Sequence, residues 1–243
     1  MNYEQMIQRM AAAAPRALLT RHDDTAIDLD RRSFLKVSIA SGFALGVFPA
    51  WSQTAPATGL TPAQQPSAFL SISTDNIVTV TIGKIDIGQG VHTALPMLVA
   101  EELDADWDKV RAELAPAGEA YKDPVYGIQM VGGSTTMKHS WQQYREIGAR
   151  ARAMLIAAAA RQWNLPAEQL KTGKSMVTGP AGKRASYGEL ANAAMNEPVP
   201  ATVTLKNPKD FKIIGKPTSR LDARAKSTGM QQLVIVFIMP YMR

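Results

Sequence analysis

The sequence predicts an α+β fold, because short β-rich runs alternate with longer segments of helical periodicity. Two β-rich runs, residues 69–73 and 77–82, are separated by residues 74–76 (Thr-Asp-Asn), which are typical of a hairpin turn. Within residues 93–103 and 140–163, apolar side chains recur every three or four positions, which predicts two helices. Paired strands combined with packed helices are characteristic of the α+β class.

The remaining elements follow from local signals. Residues 83–90 connect the second strand to the first helix, in which Pro96 falls in the first turn, where a missing N–H is tolerated. Residues 110–114 alternate like a strand, and Ser140 is a suitable N-cap for the long helix. Residues 186–195 predict a shorter helix.

Charged side chains on the two long helical segments are expected to face solvent. The acidic group at the end of the first helix consists of Glu101, Glu102, Asp104, Asp106 and Asp108. The basic group on the second helix consists of Arg145, Arg150, Arg152 and Arg161.

Residues 30–36 (Asp-Arg-Arg-Ser-Phe-Leu-Lys) have the form of a twin-arginine export signal. The apolar run that follows, residues 37–51, is shorter than the roughly 20 residues that span a bilayer. We predict a leader over residues 1–51, a flexible linker over residues 52–66, export by the twin-arginine translocase and a periplasmic location. A chance arginine pair before a buried helix is the alternative. The signal residues are Arg31, Arg32, Phe34, Leu35 and Lys36.

Composition narrows the function classes. Apolar residues make up 46% of the chain and charged residues 20%, as in globular proteins that bury a core. The net charge of +6 is spread out, without a basic cluster among aromatic residues, so nucleic-acid binding is not supported. The chain has no cysteine, which excludes iron–sulfur ligation and thiolate zinc sites within it. With only three histidines, we expect any metal to arrive inside an organic cofactor.

Two loops are candidate anion-binding sites. In the first glycine loop, residues 83–90, the glycines Gly88 and Gly90 allow backbone N–H groups to approach a ligand, and Gln89 can both donate and accept hydrogen bonds. The second glycine loop, residues 131–136, lacks the Gly-Lys-Ser/Thr ending of a nucleotide-binding P-loop. Either loop could instead be an ordinary turn. The candidate residues of the second loop are Gly132, Gly133, Ser134, Thr135 and Thr136.

Each loop is followed by a histidine. We expect His92 and His139 to make hydrogen bonds or to lie at the surface rather than to bind a metal. No catalytic residue and no metal ligand are assigned from the sequence.

The two loops and their flanks resemble a known family. The first stretch is IGQGVHTALPMLVAEEL. The second is GGSTT, followed after four residues by W and after two more by YREIGARARAMLIAAAARQW. Both stretches resemble the molybdenum-binding large subunit of the xanthine dehydrogenase and aldehyde oxidase family. The subgroup that it resembles most is the isoquinoline 1-oxidoreductase type beta subunit, which the stretch VPATVTLKNPKDFKIIGKPTSRLDARAKSTG also resembles. The resemblance covers about residues 67–229.

The resemblance implies a cofactor and partners. It implies that molybdopterin cytosine dinucleotide contacts Gln89 and Gly90 in the first loop, and Gly133, Ser134 and Thr136 in the second. It further implies water-dependent oxidation of an aldehyde or an N-heteroaromatic compound, with electrons passed to a small [2Fe–2S] subunit. Cytochrome c is a candidate for the acceptor after that subunit.

Family members are several hundred residues longer, and their catalytic glutamate lies beyond the part that this chain resembles. We therefore expect residues 67–220 to be part of a molybdopterin-binding domain. Residues 221–243 would be a truncated start of the next domain, with an atypical apolar tail. On that interpretation the chain alone is inactive. The alternatives are a truncated exported protein without activity and a periplasmic binding module.

Overall fold

The computed structural model describes residues 60–229. The predicted leader, the first part of the predicted linker and the apolar tail from residue 230 lie outside the described residues, so those interpretations stay predictions. Within residues 60–229, no helix is both long enough and apolar enough to cross a membrane.

The last residues of the predicted linker have regular structure. A turn of 3₁₀-helix, Pro62–Gln64, is followed by the short helix α1 (Pro66–Phe69). The Gln143 side chain donates a hydrogen bond to the carbonyl oxygen of Ala63 at 3.0 Å, which fixes this segment to the long helix. The region of regular structure therefore begins before Phe69, where the sequence places its first strand.

The first sheet contains β1 (Leu70–Ile72), β2 (Val78–Ile82) and β3 (Val110–Leu114). β1 pairs antiparallel with β2 through the predicted hairpin turn. β2 pairs parallel with β3, and the chain crosses between them through helix α2 (Val91–Leu103). The first glycine loop is thus the connection from a sheet strand to the crossover helix.

Helix α3 (Thr136–Trp163) packs along α2. The two backbones approach so closely that a Cβ on Gly148 would lie 2.5 Å from the carbonyl oxygen of Val99, which makes glycine necessary there. α3 begins four residues before the predicted N-cap Ser140, which is buried inside the helix. The predicted start was wrong because the helix begins directly at the end of the second glycine loop.

A second sheet, which the sequence did not predict, follows α3. It is an antiparallel arrangement of β4 (Lys171–Gly173), β5 (Met176–Thr178) and β6 (Arg184–Ser186). Each strand has three residues, too few for an alternating pattern to stand out. β6 leads into the predicted short helix α4 (Tyr187–Ala194) through a capping box between Ser186 and Glu189.

The apolar core contains side chains from the first sheet and from helices α2, α3 and α4. The Tyr187 hydroxyl donates to the carbonyl oxygen of Leu103 at 2.6 Å, which satisfies a buried polar group within that core. The prediction of an α+β fold is confirmed. The largest fully buried core side chains include Tyr144, Tyr187, Phe69, Ile72, Ile82, Leu95, Leu98 and Leu103.

The prediction that Glu101 and Glu102 face solvent is wrong. Both carboxylates are buried, with exposed fractions of 1% and 0%. The Glu101 carboxylate accepts hydrogen bonds from three successive N–H groups of residues 212–214, at 2.6–3.1 Å. The Glu102 carboxylate accepts a bond from the Arg145 guanidinium at 2.8 Å. Distant chain segments cover this end of α2 and supply the donors.

The prediction of a solvated arginine face on α3 is wrong for Arg145 and Arg150. Both are buried, and Arg150 donates to the carbonyl oxygens of Pro200 and Ala201. Arg161 is exposed, as predicted. The buried arginines bind residues 200–206, a stretch without regular secondary structure that ends ahead of the last short helix, α5 (Ala223–Ser227).

Candidate functional site

The first glycine loop is organised around the carboxylate of Asp86. This carboxylate accepts hydrogen bonds from the backbone N–H groups of Gly88 at 2.8 Å, Gly90 at 3.3 Å and His92 at 3.2 Å. Burial alone would raise the pKa of Asp86, but these hydrogen bonds outweigh it and lower the pKa. Asp86 thereby holds the loop at the N-terminus of α2, where a negative charge is favourable.

Gln89 braces the same loop from its exposed side. Its side-chain oxygen accepts a hydrogen bond from the N–H of Ile87 at 2.6 Å, and its amide nitrogen donates to the carbonyl oxygen of Ile85 at 3.0 Å. Gly88 and Gly90 have positive φ angles, and a Cβ at either would meet no atom of the described residues within 4 Å. The loop therefore presents an open surface with Gln89 at its centre.

The second glycine loop contains a tight turn. Gly133 and Ser134 have φ angles of 59° and 55°, and the N–H of Thr135 donates to the carbonyl oxygen of Gly132 at 3.3 Å. Positive φ at both central positions is the mark of a type I′ turn. Within residues 60–229, the N–H groups of Gly133 and Ser134 have no hydrogen-bond partner, so they are available to a ligand.

The structure brings the beginnings of the two loops together. The Lys84 ammonium lies 2.7 Å from the Asp123 carboxylate and donates to the carbonyl oxygen of Met130 at 3.2 Å. His139, in the first turns of α3, binds the same carboxylate through Nδ1 at 3.0 Å. This position for His139 agrees with a hydrogen-bonding role. Lys84 and Asp123 were missed in the sequence, because their link depends on two segments 39 residues apart.

Exposed apolar side chains lie on the two chain segments that the Lys84–Asp123 pair joins. Ile87 is 73% exposed in the first glycine loop and Ile128 is 56% exposed ahead of the second, and three further large apolar side chains of these segments are also exposed. Isolated exposed apolar residues are ordinary, but several on two linked segments mark a surface that a ligand or another segment can cover. The other three are Ile85, Val125 and Tyr126.

Metal ligation by the chain itself finds no support in the part that the structure describes. No group of three or more histidine, aspartate or glutamate side chains there could hold a metal ion. Thr136 is buried at the start of α3, and Thr135 uses its hydroxyl to bind the carbonyl oxygen of Gly132 at 2.8 Å. Of the predicted loop residues, Gly88, Gln89, Gly133 and Ser134 are the most exposed.

A sequence profile of the molybdopterin cofactor-binding domain matches residues 20–230. The chain belongs to this family. This membership confirms the family resemblance that the two glycine loops and their flanking residues carry.

Relatives in the molybdopterin cofactor-binding family are similar over most of this chain. The isoquinoline 1-oxidoreductase beta chain of Brevundimonas diminuta is 34% identical over 84% of the chain and 31% of its own length. A nicotinate dehydrogenase subunit of Pseudomonas putida is 30% identical over 71% of the chain and 14% of its own length. The chain therefore spans about a third or less of the length of these relatives.

A solved structure also resembles part of the chain. The crystal structure of quinoline 2-oxidoreductase from Pseudomonas putida 86 aligns with a TM-score of 0.40 and 17% identity. The alignment covers 58% of this chain and 19% of that one.

The loop residues fit a molybdopterin cofactor. The N–H groups of Gly133 and Ser134 are donors suited to anionic groups, the Gln89 amide keeps one N–H beyond its bond to Ile85, and a Cβ on Gly88 or Gly90 would meet no atom of the described residues within 4 Å. In the first loop, by contrast, the N–H groups of Gly88 and Gly90 already bind Asp86. Donors for anionic groups are thus better supplied by the second loop than by the first.

Proposed function

We propose that this chain binds molybdopterin cytosine dinucleotide as part of a molybdenum hydroxylase large subunit that oxidises an N-heteroaromatic compound or an aldehyde with water. The observation that carries the proposal is that Lys84, in the first glycine loop, binds Asp123 and the carbonyl oxygen of Met130, directly before the second glycine loop. Family membership supports the molybdopterin part of the proposal. Isoquinoline and nicotinate, named for two relatives, are both nitrogen heteroaromatics, which supports this substrate class.

The two loops have different roles in this proposal. Gly133 and Ser134 donate their N–H groups to anionic groups of the cofactor, and Gln89 offers its amide from the opposite loop. When bound, the cofactor supplies the redox centre that takes electrons from the substrate. Asp86 keeps the first loop open by holding its backbone, and the exposed Ile87 excludes water from one side.

The proposal includes partners outside the chain. By the family resemblance, electrons leave through a separate [2Fe–2S] subunit, with cytochrome c as the candidate acceptor after it; the 243 residues of this chain themselves contain no cysteine to hold a cluster. The names of the relatives, which are those of enzyme subunits, support an enzyme of several chains.

Cofactor binding is tested by molybdenum content. The protein, produced from its own gene in cells grown with molybdate, should contain molybdenum, and Gln89→Ala should lower the molybdenum per chain. A cofactor group that loses its hydrogen-bond partner in the bound state costs about 1–3 kcal/mol of binding. Ser134→Gly, which keeps the positive-φ turn and its N–H group and removes only the hydroxymethyl side chain, should lower the molybdenum content less. Gln142→Ala is the matched control, because Gln142 is exposed on α3 and bonded to Glu146.

Molybdenum content that is equal in Gln89→Ala and the unaltered protein would remove Gln89 from the cofactor site. An unaltered protein that is folded but free of molybdenum would favour the alternatives, an exported protein without activity or a binding module.

Periplasmic export is part of the same proposal. Changing Arg31 and Arg32 together to lysine keeps the charge, but should leave the protein in the cytoplasm, because an ammonium does not copy the planar guanidinium that the receptor reads. Cell fractionation measures the outcome. The control pair is Arg16→Lys with Arg21→Lys, outside the signal but within the predicted leader. A normal periplasmic amount of the Arg31 and Arg32 variant would contradict export by this route.

A further inference from the structure

Lys84 and Asp123 form an ion pair in the protein interior, where the loss of hydration costs free energy. Their side chains are only 5% and 0% exposed, and the two charged atoms are 2.7 Å apart. Removing two charges from water is expensive, so a pair of this kind is weak evidence for stability by itself. Its geometry, however, links two segments that no strand pairing joins: the start of the first glycine loop and the turn that precedes the second.

Asp123 organises the chain on its own side of the link. Its carboxylate also accepts hydrogen bonds from the N–H groups of Val125 at 2.9 Å and Tyr126 at 3.2 Å. Its backbone N–H donates to the carbonyl oxygen of Ile128 at 2.9 Å. A single carboxylate therefore sets the shape of residues 123–128 and fixes them to Lys84.

The other side of the link is anchored to the protein body. The N–H of Gly83, next to Lys84, donates to the Tyr144 hydroxyl at 2.9 Å, and Tyr144 is buried in α3. His139, one turn before Tyr144 on the same helix, binds Asp123. The helix thus contacts both segments, and the ion pair closes the arrangement between them.

We propose that Lys84, Asp123 and His139 are positioning residues that set the spacing of the two glycine loops, and we name them the coupling cluster. The inference rests on the proposed function, because it assigns these residues to the placement of the cofactor loops. The Lys84 and Asp123 side chains, 5% and 0% exposed, are assigned positioning roles and no contact with a cofactor. Lys84 also binds the carbonyl oxygen of Met130, directly before the second glycine loop, so the spacing is fixed at two points.

The spacing can be measured without any cofactor. Because the chain has no cysteine, cysteines at the exposed positions Ile87 and Ser134 can carry spin labels, one on each glycine loop, without competing sites. Pulsed electron paramagnetic resonance then gives the distribution of distances between the labels. A reference pair at Gln162 and Asn192, exposed on α3 and α4, reports the packing of the rest of the domain.

Lys84→Met breaks the link and leaves Asp123 its contacts within residues 123–128. We expect it to roughly double the width of the distribution between the loops and to leave the reference pair unchanged. Asp123→Asn should broaden it similarly, and the double variant should be no broader than either single one, since the residues act through each other. The matched control is Lys122→Met, whose lysine is half-exposed in a surface ion pair with Glu119.

A distribution that stays as narrow in Lys84→Met and Asp123→Asn as in Lys122→Met would overturn the proposal. If the reference pair also broadens, the domain has unfolded, and the double variant Lys84→Met with Asp123→Asn is compared instead, because it removes the link without leaving an unpaired buried charge. A narrow distribution in that variant overturns the proposal equally, and a broad one with an unchanged reference pair supports it.

Molybdenum content separates this inference from the proposed function. If the unaltered protein contains no molybdenum but Lys84→Met broadens the loop distances, the coupling cluster stands and the cofactor proposal fails. If molybdenum is present and the loop distances do not respond, the cofactor proposal stands and the coupling cluster fails.

Discussion

At the scale of single residues, Glu101 shows that a local sequence pattern does not predict burial by distant segments of the chain. Five acids within eight residues are typical of a solvated helix end, yet Glu101 is 1% exposed. Its partners are N–H groups of residues 212–214 and the Lys206 ammonium, more than 100 positions away. Burial alone would raise the pKa of Glu101, but these hydrogen bonds outweigh it and lower the pKa.

Glu101→Gln is expected to destabilise the fold by about 3 kcal/mol, because it removes a buried charge that satisfies three backbone donors and pairs with the partly buried Lys206 ammonium. Urea unfolding followed by circular dichroism measures the change. Glu119→Gln is the matched control, since Glu119 is 78% exposed in its ion pair with Lys122, and exposed pairs contribute about 0–1 kcal/mol. Equal midpoints for the two variants would show that the Glu101 contacts contribute nothing beyond a surface pair.

Local sequence patterns likewise predict only some residues of the candidate site. The glycine loops themselves were predictable, because glycines ahead of a helix form a recognisable pattern. Asp86 could have been found as well, since an aspartate ahead of a glycine-rich turn commonly accepts a hydrogen bond from the backbone N–H two residues on, here that of Gly88. Lys84 and Asp123 carry no such pattern, because only the folded chain brings them within 2.7 Å.

At the scale of elements, periodic segments were predictable and short ones were not. The crossover helix α2 and the short helix α4 begin and end within two residues of the predicted bounds, since their apolar faces repeat over several turns. The strands β4, β5 and β6 were missed, because tertiary contacts rather than sequence pattern hold three-residue strands. The need for Gly148 likewise follows from the α2–α3 contact and from no local signal.

At the scale of the whole molecule, buried carboxylates connect distant parts of the described domain. Asp123 joins the turn before the second glycine loop to Lys84 in the first, Glu101 holds residues 212–214, and Asp104, whose side chain is 10% exposed, binds the Lys206 ammonium at 2.7 Å. For Asp86, Glu101, Asp104 and Asp123, burial alone would raise the pKa, yet hydrogen bonds and nearby lysines leave it below its usual range. For Asp222, the hydrogen bond from Arg220 is the main cause of a lowered pKa.

Acid should therefore unfold this domain. A carboxylate whose pKa is lower in the folded than in the unfolded chain adds stability above its unfolded pKa, about 4, and that stability is lost as the pH falls from there towards the folded value. We expect the free energy of unfolding in urea to change little between about pH 7 and pH 5 and to fall below about pH 4. Glu101→Gln, with one such carboxylate fewer, should lose less stability between about pH 5 and pH 3 than the unaltered protein, and Glu119→Gln should lose as much. An equal loss in Glu101→Gln and Glu119→Gln would contradict this role of the buried Glu101 carboxylate.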